Sequence, residues 1–155
     1  MTRIDFYVLP SSEAQARRTL ACRLVEKAWR QGLKIFLRTD SEVETRIMDD
    51  LLWTFRQGSF IPHALSSSAA EDWEDVSVVL GHGAPPPDFR DLLINLGAET
   101  PTRFEEFGRL AEIIDQEESV LRPGRQRYRS YKEQGFSLET HNLDTSGAVM
   151  SGQAD

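Results

Sequence analysis

Residues 121–136 carry a charge of +4 in a chain whose formal net charge is −7, which leaves −11 on the remainder. Within that stretch Arg125, Tyr128, Arg129 and Lys132 stand at i, i+3, i+4 and i+7, the spacing that puts four side chains on one face of an α-helix. A guanidinium presents a rigid fork of donors that matches a carboxylate or a phosphate. Three cations around a tyrosine are therefore suited to capturing an anion. Tyr131 and Phe136 add apolar surface nearby, and Ile114 closes the preceding apolar run. Together they can frame an apolar pocket rimmed by cations, fit for a peptide with a free C-terminal carboxylate, an apolar last residue and upstream aspartates. Two other uses stay open on the residues alone. The face can be plainly solvated, or the cations can hold nucleic acid with the tyrosines stacked on bases.

A second constellation is aromatic. Trp53, Phe55, Phe60, Ile61 and Pro62 fall within ten residues. Phe55 continues the apolar stripe of a helix and reads as core. Trp53 lies off that stripe, and Phe60-Ile61-Pro62 has loop character. Such a patch is either packing or the anchor of a protein interface.

Other chemistry finds no support in the spacing. The first strand-to-helix turn, residues 9–14, contains no glycine, and neither a dinucleotide fingerprint nor a Walker-type loop occurs. Gly81-His82-Gly83 runs into three prolines rather than a helix. His63, His82 and His141 lack the spacing of metal ligands. Cys22 falls among apolar helix positions and reads as a packed thiol. Adjacent carboxylates such as Asp49-Asp50 diverge on a helix. No catalytic residues, cofactor or metal are expected.

These side chains need a scaffold, and the pattern supplies one. Residues 4–9 read as a strand, followed by a helix capped at Ser11 or Ser12 and ended by Gly32. A strand over 33–37 leads to a helix opening at Asp40-Ser41, with Ser41 and Glu44 as a capping box and Val43, Ile47, Met48, Leu51, Leu52 and Phe55 facing inward. Residues 64–73 read as a mobile loop. Strands are expected over 76–80, 91–96 and 109–114, with a short helix over 101–107 between the last two. The basic stretch falls in a final helix over 116–134, kinked or restarted at Pro123-Gly124 and stopped by Gly135. From Phe136 onward the polar, aperiodic sequence predicts fraying. Alternation of strand and helix predicts an α/β domain over 1–140, a mostly parallel twisted sheet of about five strands with helices on both faces, and a flexible tail over 141–155.

Composition bounds the setting. A chain of 155 residues suits one domain, and a single cysteine fits a reducing compartment. No signal peptide and no apolar segment of membrane-spanning length is evident, so a cytoplasmic protein is expected. An acidic chain is not built to coat duplex DNA by bulk charge.

Four segments in this order carry a resemblance. They are Asp5-Phe-Tyr-Val-Leu9, Leu52-Trp53 with Ser59-Phe-Ile-Pro-His63, Asp91-Leu-Leu-Ile-Asn-Leu96, and the basic signature from Arg125 to Phe136. Over about residues 3–140 the chain is similar to the chi subunit family of the bacterial DNA polymerase III holoenzyme. The resemblance implies a non-catalytic clamp-loader accessory subunit with a Rossmann-like fold that lacks a nucleotide site. It also implies two protein partners and, through them, indirect contact with DNA. Arg125, Tyr128, Arg129, Lys132 and Ile114 would hold the acidic C-terminal tail of single-stranded DNA-binding protein. Trp53, Phe60 and Pro62 would meet the psi subunit. Direct binding of single-stranded nucleic acid by the basic helix is the alternative.

Overall fold

The computed structural model describes residues 1–58, 60–145 and 148. Seven strands form a single sheet: β1 (Arg3–Val8), β2 (Ile35–Arg38), β3 (His63–Leu65), β4 (Val78–Gly81), β5 (Leu92–Asn95), β6 (Arg109–Ile114) and β7 (Ser137–Asn142). Their spatial order is β3-β4-β2-β5-β6-β1-β7, and every neighbouring pair is parallel. Among the described residues three α-helices flank the sheet: α1 (Ala14–Arg30), α2 (Glu42–Thr54) and α3 (Glu118–Glu133).

Alternation along the strands builds two cores. Tyr7, Ile35, Leu37 and Ile113 face one side, where they pack with Leu20, Val25, Met48 and Leu52 of α1 and α2. Ile4, Phe6, Phe36 and Ile114 face the other, where Tyr131 of α3 is buried. Central strands covered on both faces read as near-continuous apolar runs, which is why they are legible.

The sheet has two more strands than the pattern predicts, one at each edge. β3 replaces part of the expected mobile loop, and a 3₁₀ turn over Ala70–Trp73 follows it. The Trp73 indole N–H donates to the Leu65 carbonyl at 3.1 Å and ties that turn down. β7 replaces the expected fraying after Phe136, and Leu143 beyond it is buried. The rest of the predicted tail, 146–147 and 149–155, lies outside the described residues.

Local rules explain most boundaries. The Ser41 hydroxyl accepts from the Glu44 amide at 3.2 Å and caps α2. The Glu44 carboxylate turns instead to Arg18, at 2.7 Å. Val43, expected inside, is 68% exposed because it lies in the first turn, outside the stripe of Met48 and Leu52. Neither Ser11 nor Ser12 is the N-cap of α1, a place taken by Glu13 without a side-chain cap. The predicted helix over 101–107 shrinks to a 3₁₀ turn over Phe104–Glu106.

α3 runs unbroken through Pro123. Its start at Glu118 puts the proline in the second turn, where only the bond to the exposed Ser119 carbonyl is forfeited. Gly135 ends α3 with φ of +88°, a left-handed conformation that glycine adopts without strain.

Candidate functional site: a cation-rimmed groove beside the last helix

Two opposed anchors fix α3. Arg127, one residue off the basic face, points inward and is buried. Its Nε and Nη2 donate to the two carboxylate oxygens of Glu112 at 3.0 and 2.9 Å. The Tyr131 hydroxyl donates to the same carboxylate at 2.7 Å, and Asn95 Nδ2 does so at 3.0 Å. Glu112 thus accepts four bonds in the interior, and α3 is locked onto β5 and β6. Burial, followed by the adjacent Glu112 charge, pushes the Tyr131 phenol well above its ordinary pKa, so it stays a donor.

The second anchor is a close approach. A Cβ built on Gly124 would stand 2.6 Å from Ile114 Cγ2, so only glycine lets α3 sit this near the end of β6. Tyr128 meets Phe6 edge to face, with ring centroids 5.1 Å apart. Between α3 and the ends of β1, β6 and β7 this leaves a cavity of about 470 Å³.

Phe6, Val8, Ile114 and Leu121 form its apolar floor, and Thr140 of β7 and Gln116 close its ends. Arg125, Tyr128, Arg129 and Lys132 line its walls. The structure therefore brings together all five residues of the predicted anion site. Arg125, Arg129 and Lys132 are exposed and make no ion pair among the described residues. Arg122 is different, since its guanidinium pairs with Glu118 one turn earlier. Phe6, Val8 and Thr140 were invisible from sequence, because only the order β6-β1-β7 carries them beneath α3. Tyr131, expected to add apolar surface at the pocket, is buried in the core instead.

The aromatic patch is a separate surface. Trp53 is 41% and Phe60 67% exposed, and their rings lie 5.3 Å apart. The His63 ring lies tilted against Trp53 with centroids 4.2 Å apart, and its Nε2 contacts the Asp49 carboxylate at 2.9 Å. Ile61 is fully buried and anchors the loop, Pro62 is half-buried, and Phe55 packs against the core as expected.

At the carboxyl ends of the central strands, where open parallel sheets bind nucleotides, lies a cavity of about 260 Å³ with Arg17 among its walls. Arg17 donates from Nε to the Ile113 carbonyl at 2.8 Å and from Nη2 to the Leu96 carbonyl at 3.0 Å. Asp5, Glu139 and His141 gather on β1 and β7 with ligand-type atoms within 4.8 Å of one another. Arg3 and Arg109 sit in the same cluster, bonded to Asp5 at 3.3 and 2.6 Å. The group therefore has the character of an ion-pair network joining β7 to the sheet. Cys22 is buried, and desolvation pushes its thiol up to about 12, as fits packing rather than attack.

Comparison with known proteins gives the family. The family profile described as DNA polymerase III chi subunit, HolC, matches residues 1–139. The chain belongs to that family. DNA polymerase III subunit chi of Pseudomonas aeruginosa is 46% identical over 143 residues, spanning 92% of this chain and 98% of that protein. The subunit chi of Haemophilus influenzae is 29% identical over 139 residues, spanning 90% of this chain and 96% of its own length. That of Escherichia coli is 25% identical over 144 residues, spanning 90% and 97%. Chi is an accessory subunit of a replicative polymerase, so a surface built for a partner suits the family. Among the described residues no helix is long and apolar enough to cross a membrane.

Proposed function

We propose that this chi-family protein is a non-catalytic adaptor of the clamp loader with two protein-binding surfaces. The groove beside α3 grips the acidic C-terminal tail of single-stranded DNA-binding protein. The patch of Trp53, Phe60 and Pro62 meets the psi subunit, where one is present. The observation that carries the first assignment is a set of exposed cations, without an ion pair among the described residues, around an apolar-floored cavity. An apolar last side chain fits the floor of Phe6, Val8, Ile114 and Leu121, and its carboxylate falls among Arg125, Arg129 and Lys132. The second assignment rests on two exposed aromatic rings held by a buried isoleucine, the composition of an interface anchor.

Calorimetry with a synthetic peptide that has upstream aspartates and a free C-terminal phenylalanine tests the groove. Arg125→Ala should weaken binding by about 1.5–3 kcal/mol, the range for a hydrogen bond to a charged group. Removing the last residue of the peptide should abolish most of the affinity. Equal binding of the shortened peptide would leave bulk charge as the only attraction. Bare single-stranded oligonucleotides provide the competing arm, since the same cations can hold phosphates. Tyr131, one of the two rings that reading needs for base stacking, is buried and bonded to Glu112. Tight, steeply salt-dependent oligonucleotide binding would nevertheless favour it.

A further inference from the structure

Beneath the aromatic patch lies a histidine that solvent does not reach. The His63 side chain is fully buried, and each of its ring nitrogens faces oxygen. Nδ1 lies 2.7 Å from the carbonyl of Ile61, two residues earlier in the loop. Nε2 lies 2.9 Å from an Asp49 carboxylate oxygen and 3.2 Å from the Asp49 carbonyl, both on α2. One turn beyond Asp49 on the same helix face, the Trp53 ring packs against this imidazole. Trp53 in turn meets Phe60, so one ring ties the loop to α2 and supports both exposed aromatics.

Carbonyl and ionised carboxylate oxygens only accept hydrogen bonds. A neutral imidazole carries a single N–H and satisfies one side of this site, leaving the lone pair of its other nitrogen aimed at oxygen. An imidazolium donates on both sides and sets its charge against Asp49. The adjoining indole also attracts a cation. We propose that His63 is a positioning residue that holds Trp53 and Phe60 as an imidazolium, so that the aromatic surface is set while the ring is protonated and loosens when the proton leaves. That role needs a partner on the patch only for its consequence in binding.

The neighbouring charges agree. Asp49 makes no ion pair other than that with His63 among the described residues. Elsewhere on α2, Arg46 pairs with Glu42, and Asp50 is exposed. In the loop Arg56 pairs with Glu26. Across the sheet, the β4 residue opposite His63 is Val78, which brings no charge.

Nuclear magnetic resonance of the full, nitrogen-labelled chain reads the tether without a partner. The titration runs from about pH 6 to about pH 9, with His63→Gln and Trp53→Phe assigning the two signals. At the acid end both His63 nitrogens should carry protons. As pH rises one should lose its proton, and the Trp53 indole signal should move in the same step. Asp49→Asn keeps the shape and removes the charge, so it should carry both steps together to lower pH. His141, at the opposite edge of the sheet, controls for the change in net charge. A ring with one proton throughout, a Trp53 signal indifferent to the His63 step, or steps that Asp49→Asn leaves in place would each overturn the proposal. Calorimetry with purified psi subunit then measures the consequence. Affinity should fall about tenfold across the step, the factor for one hydrogen bond to a charged group, and His63→Gln should bind weakly at both ends. An equal fall in the parent and in His63→Gln would place the titration in psi and overturn the positioning role. No binding at either pH, with the Trp53 step intact, would remove psi from the patch and leave the tether standing.

Discussion

Gly124 and Ile114 decide, at the scale of single residues, whether the groove exists in its present shape. A methyl group on Gly124 would lie 2.6 Å from Ile114 Cγ2, inside any normal contact. Gly124→Ala gains up to about 1 kcal/mol of helix propensity but incurs about 1–3 kcal/mol of overpacking. The net expectation is modest destabilisation with α3 lifted from the floor. Peptide affinity should fall although no charge has changed, and a variant that binds normally would contradict the close-approach account. Glu112 matters differently. Glu112→Ala leaves Arg127 buried without its counter-ion, a loss of about 3–5 kcal/mol. For a chain of this size that lowers the melting temperature by roughly 10 °C, read by thermal unfolding. A fall of under about 2 °C would mean that water replaces the lost carboxylate.

At the scale of elements, β7 shows how an edge strand is held when its own sequence gives little reason for it. Ser137-Leu-Glu-Thr-His-Asn142 has one clearly apolar residue, Leu138, and among the described residues pairs only with β1. Its hold comes partly from Asp5, whose side chain is fully buried. Burial would raise the Asp5 pKa, but hydrogen bonds from His141 and Arg109 and the charges of Arg109 and Arg3 outweigh it and hold it below the usual carboxylate range. A carboxylate depressed in the folded state stabilises above its unfolded pKa, and that contribution disappears as pH falls through the folded value. Stability should therefore decline below about pH 4, and Asp5→Asn should flatten that decline while lowering stability at pH 7. Denaturant titrations at pH 3 and pH 7 measure both effects, and an unchanged acid limb would remove Asp5 from the explanation.

The same strand marks where sequence reading stops. The basic face of α3 was legible because a 3.6-residue period is local and groups Arg125, Arg129 and Lys132, whereas the inward turn of Arg127 came only with the structure. The central strands were legible because burial on both faces leaves continuous apolar runs. β3 and β7 were not, since edge strands are short or polar and owe their pairing to a neighbour distant in the chain. For that reason the groove's rim could be listed in advance and most of its floor could not. Phe6 and Val8 precede Arg125 by more than a hundred residues and reach it only through the parallel pairing of β1 with β6 and β7.

On the scale of the whole molecule, strand order separates the two proposed surfaces. β3 forms one edge of the sheet and β7 the other. Six inter-strand gaps of about 4.8 Å put roughly 29 Å between those edges. Trp53 packs against His63 at the β3 edge, whereas the groove opens between α3 and β7. Sites this far apart with no shared partner should respond additively to substitution. Trp53→Ala is expected to leave acidic-peptide affinity within about 0.5 kcal/mol of the parent, and Arg125→Ala to leave binding at the aromatic patch equally unaffected. The double variant should show the sum of the two losses. Such independence is what an adaptor requires, because one partner can be exchanged while the other stays bound. A coupling energy above about 1 kcal/mol in the double-mutant cycle would instead mean that the sheet transmits strain between its edges, or that the two partners touch.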